Sequence, residues 1–156
     1  MKVDFFIVGA PKAGTTSLCH YLDKHPEINM SSEKEPNYFS NDELEEQGMY
    51  YGKPRINKIE MYHSLFAKHR QFKLRGEGSV SYLFYKNVPA KIKEYNPKAK
   101  IIIMLRNPVD RAFSHYLMDR RLGLVHDSFE DVINKKSAHK DAKLFYQQYI
   151  QVGEYA

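Results

Sequence analysis

Residues Gly9-Ala10-Pro11-Lys12-Ala13-Gly14-Thr15-Thr16-Ser17 follow directly on the apolar run Phe5-Phe6-Ile7-Val8. A glycine-rich turn between a buried strand and a helix is a ready anion site, because the first N–H groups of a helix have no internal acceptor. The spacing of Gly9 and Gly14 is that of the phosphate-binding pattern G-x-x-x-x-G-K-[ST]. Its lysine, however, is displaced into the loop at Lys12, and Thr15 stands where that lysine would be. The displacement points to a phosphate-like group held differently from the end of ATP. On this reading the N–H groups of residues 12 to 16 ring the anion, Lys12 supplies charge, and the Thr15 and Thr16 hydroxyls add donors. The plainer alternative is a tight strand-to-helix turn with Thr15 as N-cap.

Three further segments carry candidate chemistry. Leu105-Arg106-Asn107-Pro108 closes a β-branched run at Lys100 to Leu105 and opens a helix. Ligands of open α/β sheets bind at the carboxyl ends of strands, and an arginine there suits a phosphate through paired hydrogen bonds. A metal-dependent triphosphatase needs an acid near such a position to hold Mg²⁺, and Arg106 is a cation. In Glu33-Lys34-Glu35-Pro36-Asn37-Tyr38-Phe39, a carboxylate beside a transferred group would act as general base, and the alternative is a solvated charged turn. Ser114, in Arg111-Ala112-Phe113-Ser114-His115-Tyr116, is either a ligand-facing hydroxyl or an ordinary helix serine. The stretch Glu77-Gly78-Ser79-Val80-Ser81-Tyr82 either lines a site or turns the chain.

The elements that must position these residues alternate. Strands are predicted at residues 3 to 8, briefly at Ile28 to Ser31, at Phe72 to Gly76, and at Lys100 to Leu105. Helices are predicted at 15 to 24, 59 to 69, 87 to 95, from Asn107-Pro108 to about Leu122, at Ser128 to Lys135 and at Lys143 to Val152. Residues 33 to 58 read as a long loop with one helical turn near Asp42 to Gln47. This alternation implies an α/β, P-loop-like three-layer fold with a mostly parallel central sheet flanked by helices. No repeat, low-complexity tract or linker divides the chain, so 1–156 reads as one domain.

Composition narrows the classes. At 156 residues with 42% hydrophobic and 28% charged side chains, the chain has the makeup of a globular domain with a core. The net charge of +5 is mildly basic, and no dense basic run interleaved with aromatics marks a nucleic-acid surface. One cysteine, Cys19, excludes an internal disulfide and any zinc site on paired cysteines. The seven histidines show no metal-ligand spacing. No apolar stretch approaches the ~20 residues that span a bilayer, and the first strand leaves no room for a leader, so a cytoplasmic location is expected.

Taken together, these segments resemble the sulfotransferases that use 3′-phosphoadenosine 5′-phosphosulfate (PAPS), in the carbohydrate branch typified by heparan sulfate sulfotransferases and their bacterial relatives. Pro11-Lys12-Ala13-Gly14-Thr15-Thr16-Ser17-Leu18 is similar to that family's 5′-phosphosulfate loop. Leu105-Arg106-Asn107-Pro108, with Arg111 and Ser114 following, is similar to its 3′-phosphate segment. Lys34-Glu35-Pro36-Asn37-Tyr38-Phe39 is similar to its K-E-x-x-[FY]-F segment. The resemblance implies that Lys12, Ala13, Gly14, Thr15, Thr16 and Ser17 hold the phosphosulfate, and that Lys12 also offsets charge on the bridging oxygen. It further implies that Arg106 and Ser114 bind the 3′-phosphate and that Glu35 is the base. The donor is then PAPS with no metal required, and the acceptor is a hydroxyl or amine of a carbohydrate, glycolipid or similar molecule. The family often has a lysine and a proline in the segment resembling Gly76 to Tyr82, where this chain has Gly78 and Val80. Its G-x-Y segment, like Gly153-Glu154-Tyr155, normally continues into more structure, so the chain reads as the N-terminal part of the family's domain. A small-molecule kinase and a catalytically incomplete nucleotide-binding module are the alternatives. The sequence is silent on oligomeric state.

Overall fold

The computed structural model describes residues 1–48, 56–67 and 72–155. They form two compact units: residues 1–9 with 14–104, and residues 10–13 with 105–155.

The first unit is built on a parallel sheet. Its strands are β1 (Phe5–Gly9), β2 (Ile28–Met30), β3 (Leu74–Gly78) and β4 (Lys100–Ile103). Their order across the sheet is β2-β3-β1-β4, with every pairing parallel. The helices between them are α1 (Thr15–Asp23), α2 (Asn41–Glu46), α3 (Ile59–Ser64) and α4 (Val88–Tyr95). Short 3-10 turns occupy Tyr38–Ser40 and Val80–Leu83.

Alternation along β1 makes the layers. Phe5 and Ile7 face one way, packing with Met30 against Leu18, Cys19 and Leu22 of α1. Phe6 and Val8 face the other way, into a cluster with Phe39, Tyr62, Phe66, Tyr82, Val88 and Ile92. Every residue of β1 is buried, as a strand covered on both faces must be. Each fully buried large apolar side chain contributes ~1.5–3 kcal/mol. The second face is unusually aromatic: the Phe39 ring meets Phe6, Tyr62 and Tyr82 edge-on at 5.7, 5.7 and 5.8 Å.

Strand β3 lies two residues beyond its predicted start, and the reason is tertiary. A Cβ on Gly76 would sit 2.1 Å from the Phe5 ring and 2.7 Å from Met30 Sδ, so only glycine lets β3 lie between its neighbours. Helix α3 ends at Ser64, short of the predicted 69; residues 68 and 69 lie outside the described set, as does 49–55 of the predicted long loop. The single helical turn expected there is α2. Strand β4 stops at Ile103 and holds an edge of the sheet; Ile101 and Ile103 are half exposed.

The second unit is helical: α5 (Pro108–Arg121), α6 (Phe129–Ile133) and α7 (Ala142–Tyr149), followed by a 3-10 turn at Gln151–Gly153. The start signals of α5 behave as predicted. Asn107 Oδ1 accepts hydrogen bonds from the N–H groups of Val109 and Asp110, and Pro108 takes the first position. Ser128 caps α6 in the same way, accepting from the Asp131 N–H at 3.0 Å. Phe113, Tyr116, Phe129 and Tyr149 pack as an aromatic cluster where the helices meet.

Candidate active site

In the first unit, the chain leaving Gly14 enters α1 through a left-handed residue. Gly14 is the N-cap at φ 92°, a conformation that favours glycine, and no side chain caps the helix. Thr15 is therefore the first helical residue and not the N-cap of the plainer reading. Its side chain is buried, whereas Gly14, Thr16 and Ser17 are exposed. The Leu18 N–H already reaches Gly14 O at 3.1 Å. The amides just before it are the ones a helix leaves without internal acceptors. This first turn thus offers N–H groups and the Thr16 and Ser17 hydroxyls to an anion, with no carboxylate in the turn.

Glu35 belongs to the same unit, in an unusual conformation. Its φ is 57°, and Asn37 has φ 54°. A left-handed glutamate costs ~1 kcal/mol or more and persists only where its surroundings fix it. Here the Glu35 N–H donates to Gly78 O at 2.9 Å, and Asn37 Nδ2 donates to Glu35 O at 3.0 Å. The Glu35 carboxylate accepts from Lys34 Nζ, and its side chain is about a quarter exposed (24%), open enough to meet a ligand. Cys19 lies close by on α1. Burial pushes its thiol pKa up, the Lys34 charge opposes the rise, and Glu35 adds to it. Cys19 Sγ also stands 2.6 Å from where a Cβ on Gly78 would be, so the thiol fills the place of a residue-78 side chain.

In the second unit, Lys12 is another left-handed residue, at φ 66°. Its carbonyl accepts from Arg106 Nη1 at 3.1 Å. Its ammonium donates to Met118 Sδ at 3.5 Å, a weak acceptor. Met118 lies one helical turn beyond Ser114 on α5, so Ser114 and the Lys12 ammonium share one face of that helix. His115, next to Ser114, feels the same neighbourhood. Burial, then the charges of Arg111 and Lys12, push its pKa down to about 3, so it is neutral at physiological pH. Arg106 is exposed and Ser114 half-buried. The unit thus gathers two cations and a hydroxyl, a donor set that suits a phosphate-like anion. Ala13 N–H is committed to Ala10 O at 3.2 Å, closing the turn.

Sequence reasoning named residues of two groups without seeing that they are buried or what they hold. One is the buried stripe Arg111, His115 and Asp119, each at most 2% exposed on α5. Arg111 Nη2 donates to the carbonyls of Gln148 and Tyr149 at the end of α7, at 2.9 and 2.5 Å, and the Tyr149 hydroxyl donates to Asp119 at 2.8 Å. The i, i+4, i+8 spacing of three ionisable residues on the face that also carries Ala112 and Tyr116 is the signal that marks them. The other is Glu77, whose segment turns the chain through the 3-10 turn at Val80–Leu83.

Among the described residues, no group of three or more His, Cys, Asp or Glu is placed to hold a metal ion, and no helix is long and apolar enough to cross a membrane.

The chain matches the family model described as "Sulfotransferase domain" over residues 2–156. It is 35% identical over 116 residues to the membrane-associated sulfotransferase kil1 of Dictyostelium discoideum, an alignment covering 72% of this chain and 22% of that protein. It is 32% identical over 110 residues to heparan sulfate glucosamine 3-O-sulfotransferase 6 of Homo sapiens, covering 70% and 28%. Similarity to the human bifunctional heparan sulfate N-deacetylase/N-sulfotransferase 2 is 34% over 122 residues, covering 76% and 13%. The chain therefore spans less than a third of each of these relatives. Among solved structures, a sulfotransferase from Alicyclobacillus acidocaldarius superposes with a TM-score of 0.81 at 36% identity, over 99% of this chain and 65% of that one.

Proposed function

This chain belongs to the sulfotransferase domain family, and from that premise we propose that it moves a sulfuryl group from PAPS to a hydroxyl or amine of a carbohydrate, glycolipid or similar acceptor. The observation that carries the reading is the cationic pair of the second unit. Arg106 and Lys12 are joined at 3.1 Å, and the Lys12 ammonium is turned toward the helix that bears Ser114. A kinase of the P-loop class needs an acid for Mg²⁺ at the end of such a strand. The names of the relatives support a sugar acceptor.

The donor supplies a sulfur–oxygen bond to a phosphate, and this chain's residues do the rest. Arg106 and Ser114 take the 3′-phosphate. Lys12 and residues 13 to 17 are the proposed phosphosulfate-binding group, with amides from Gly14 onward and the Thr16 and Ser17 hydroxyls as its donors, since the Ala13 N–H is held by Ala10 O. Glu35 receives the acceptor's proton as the acceptor-to-sulfur bond forms and the bond from sulfur to the bridging oxygen breaks. Lys12 offsets the charge that gathers on that oxygen. A sulfuryl group carries less negative charge than a terminal phosphoryl, so fixed donors and one ammonium replace a metal clamp. The remaining demand is for alignment of acceptor and donor.

Calorimetry tests the reading. The chain is expected to bind 3′-phosphoadenosine 5′-phosphate and to discriminate against the same nucleotide lacking the 3′-phosphate. Preference for ATP with Mg²⁺ would move the assignment to a kinase. Tight binding of the 3′-phosphate compound without any sulfuryl transfer would make the chain a binding module.

A further inference from the structure

Glu77 lies at the end of β3 with no exposure to solvent, and among the described residues its partners are hydroxyls rather than a cation. Tyr62 Oη donates to its Oε2 at 2.5 Å, and Ser79 Oγ donates to its Oε1 at 2.5 Å. Tyr82 adds a further hydrogen bond. An acid buried at this depth is costly to keep, and burial pushes its pKa up to about 7 against the pull of those hydroxyls.

What the hydroxyls do with their other sides gives the acid a purpose. Each hydroxyl has one proton. Ser79 spends its proton on Glu77, so its oxygen faces outward as an acceptor and receives the Asn37 N–H at 3.0 Å. The Tyr82 oxygen likewise receives the Phe39 N–H at 3.2 Å. With Glu35 N–H on Gly78 O at 2.9 Å, the alternate amides 35, 37 and 39 are all gripped by the segment that Glu77 organises. Asn37 Oδ1 accepts from Ser81 Oγ at 2.8 Å, adding a side-chain tie. The gripped turn is the one that holds Glu35 and Asn37 left-handed. Such conformations need surroundings that over-determine them.

We propose that Glu77 is a positioning residue: by fixing the hydroxyl directions of Ser79 and Tyr82 it holds the 35–39 turn and so aims the Glu35 carboxylate at the acceptor. This rests on the sulfuryl-transfer reading only in its last step. The grip on the turn stands on geometry alone.

The test uses Glu77→Gln, which keeps the shape of the side chain and leaves one hydroxyl proton without its carboxylate oxygen. Amide hydrogen exchange should quicken at Asn37 and Phe39 by at least ~10-fold relative to Phe6, Ile7 and Val8 in β1. In sulfuryl-transfer assays kcat should fall ~10-fold with the KM for PAPS within about twofold. Exchange that is unchanged, or that quickens equally in β1, overturns the grip and makes Glu77 an ordinary core group. Local quickening with an unchanged kcat overturns the aiming of Glu35. If Glu77→Gln does not fold, Ser79→Ala, which removes the acceptor of the Asn37 amide, carries the same expectation at residue 37. A parent chain that transfers no sulfuryl group sinks the reading of the site, while the exchange data still decide the grip.

Discussion

The two units bury ionisable groups of opposite sign in similar ways. In the first unit an acid, Glu77, sits among the hydroxyls of Tyr62, Ser79 and Tyr82. In the second a guanidinium, Arg111, sits on the carbonyls of Gln148 and Tyr149, with neutral His115 beside it. Both are held by neutral dipoles, but the acid's partners lead to an irregular turn whereas the guanidinium binds the last carbonyls of a helix. The acid grips a turn carrying the proposed base, and the guanidinium caps the carboxyl end of α7, where a cation suits the helix dipole. The units also differ in the chemistry proposed for them. Lys12, Arg106 and Ser114 of the second unit are proposed donor-binding groups, and the first unit adds residues 14 to 17 to that role together with Glu35 as the proposed base.

Breaking the second unit's anchor should give the largest effect. Arg111→Ala takes a charged donor from the carbonyls of Gln148 and Tyr149 and leaves a large void, and is expected to cost ~3–5 kcal/mol. Hydrogen exchange should show the loss at α7 amides well before β1. The comparison fails if both respond alike.

Chemistry should separate the units next. Lys12→Ala and Glu35→Gln are each expected to lower turnover at least ~100-fold, about 2.7 kcal/mol of barrier. Only Lys12→Ala should also weaken nucleotide binding in calorimetry. A near-normal rate in Glu35→Gln would remove that residue from the base role. A smaller effect is expected of Arg106→Ala, a loss of ~10-fold or more in affinity for 3′-phosphoadenosine 5′-phosphate with little loss for the nucleotide lacking the 3′-phosphate.

The finest distinction is in acid. Burial raises the Glu77 pKa from 4.5 to about 7, so the native state holds that proton more tightly than the unfolded chain. Its contribution to stability is full below pH 4.5 and is lost as pH rises through 7. His115 runs the other way. Its pKa is lowered from 6.5 to about 3, so its contribution is present above pH 6.5 and is lost as pH falls toward 3. Between 4.5 and 6.5 the two slopes oppose each other, each at most ~1.4 kcal/mol per pH unit. Urea unfolding across that range should be nearly flat in the parent. Glu77→Gln should turn it into a protein that loses stability on acidification, and His115→Gln into one that gains it. Parallel slopes in the two variants would dissolve the contrast.

Much of the frame was legible because its signals are local. The apolar run before Gly9, the Ile101-Ile102-Ile103 run and the Asn107-Pro108 start of α5 each carry strand or helix information within a few residues. The likeness of the Lys12 and Arg106 segments to a known family was legible for the same reason, and the family comparison bears it out. Strand β3 was harder. Leu-Arg-Gly-Glu-Gly has poor strand propensity, and its glycines answer to Phe5, Met30 and Cys19, which lie far off in sequence. The left-handed state of Glu35 was invisible for a like reason, since the groups that enforce it come from residues 78 to 82. The burial of Glu77 depends on Tyr62 and Tyr82, so a polar run that reads as a turn became the centre of a core.

Among the described residues β4 borders β1 alone, and along it Ile101 and Ile103 are half bare. Crowded chains can add to such a margin, strand beside strand, with greasy side chains sealing the join. Lys98 and Lys100, exposed at its entrance, repel a second copy arriving in register. Raising the ionic strength screens that repulsion, so a solution of residues 1–156 should stay clear in dilute buffer and turn cloudy when salt is added.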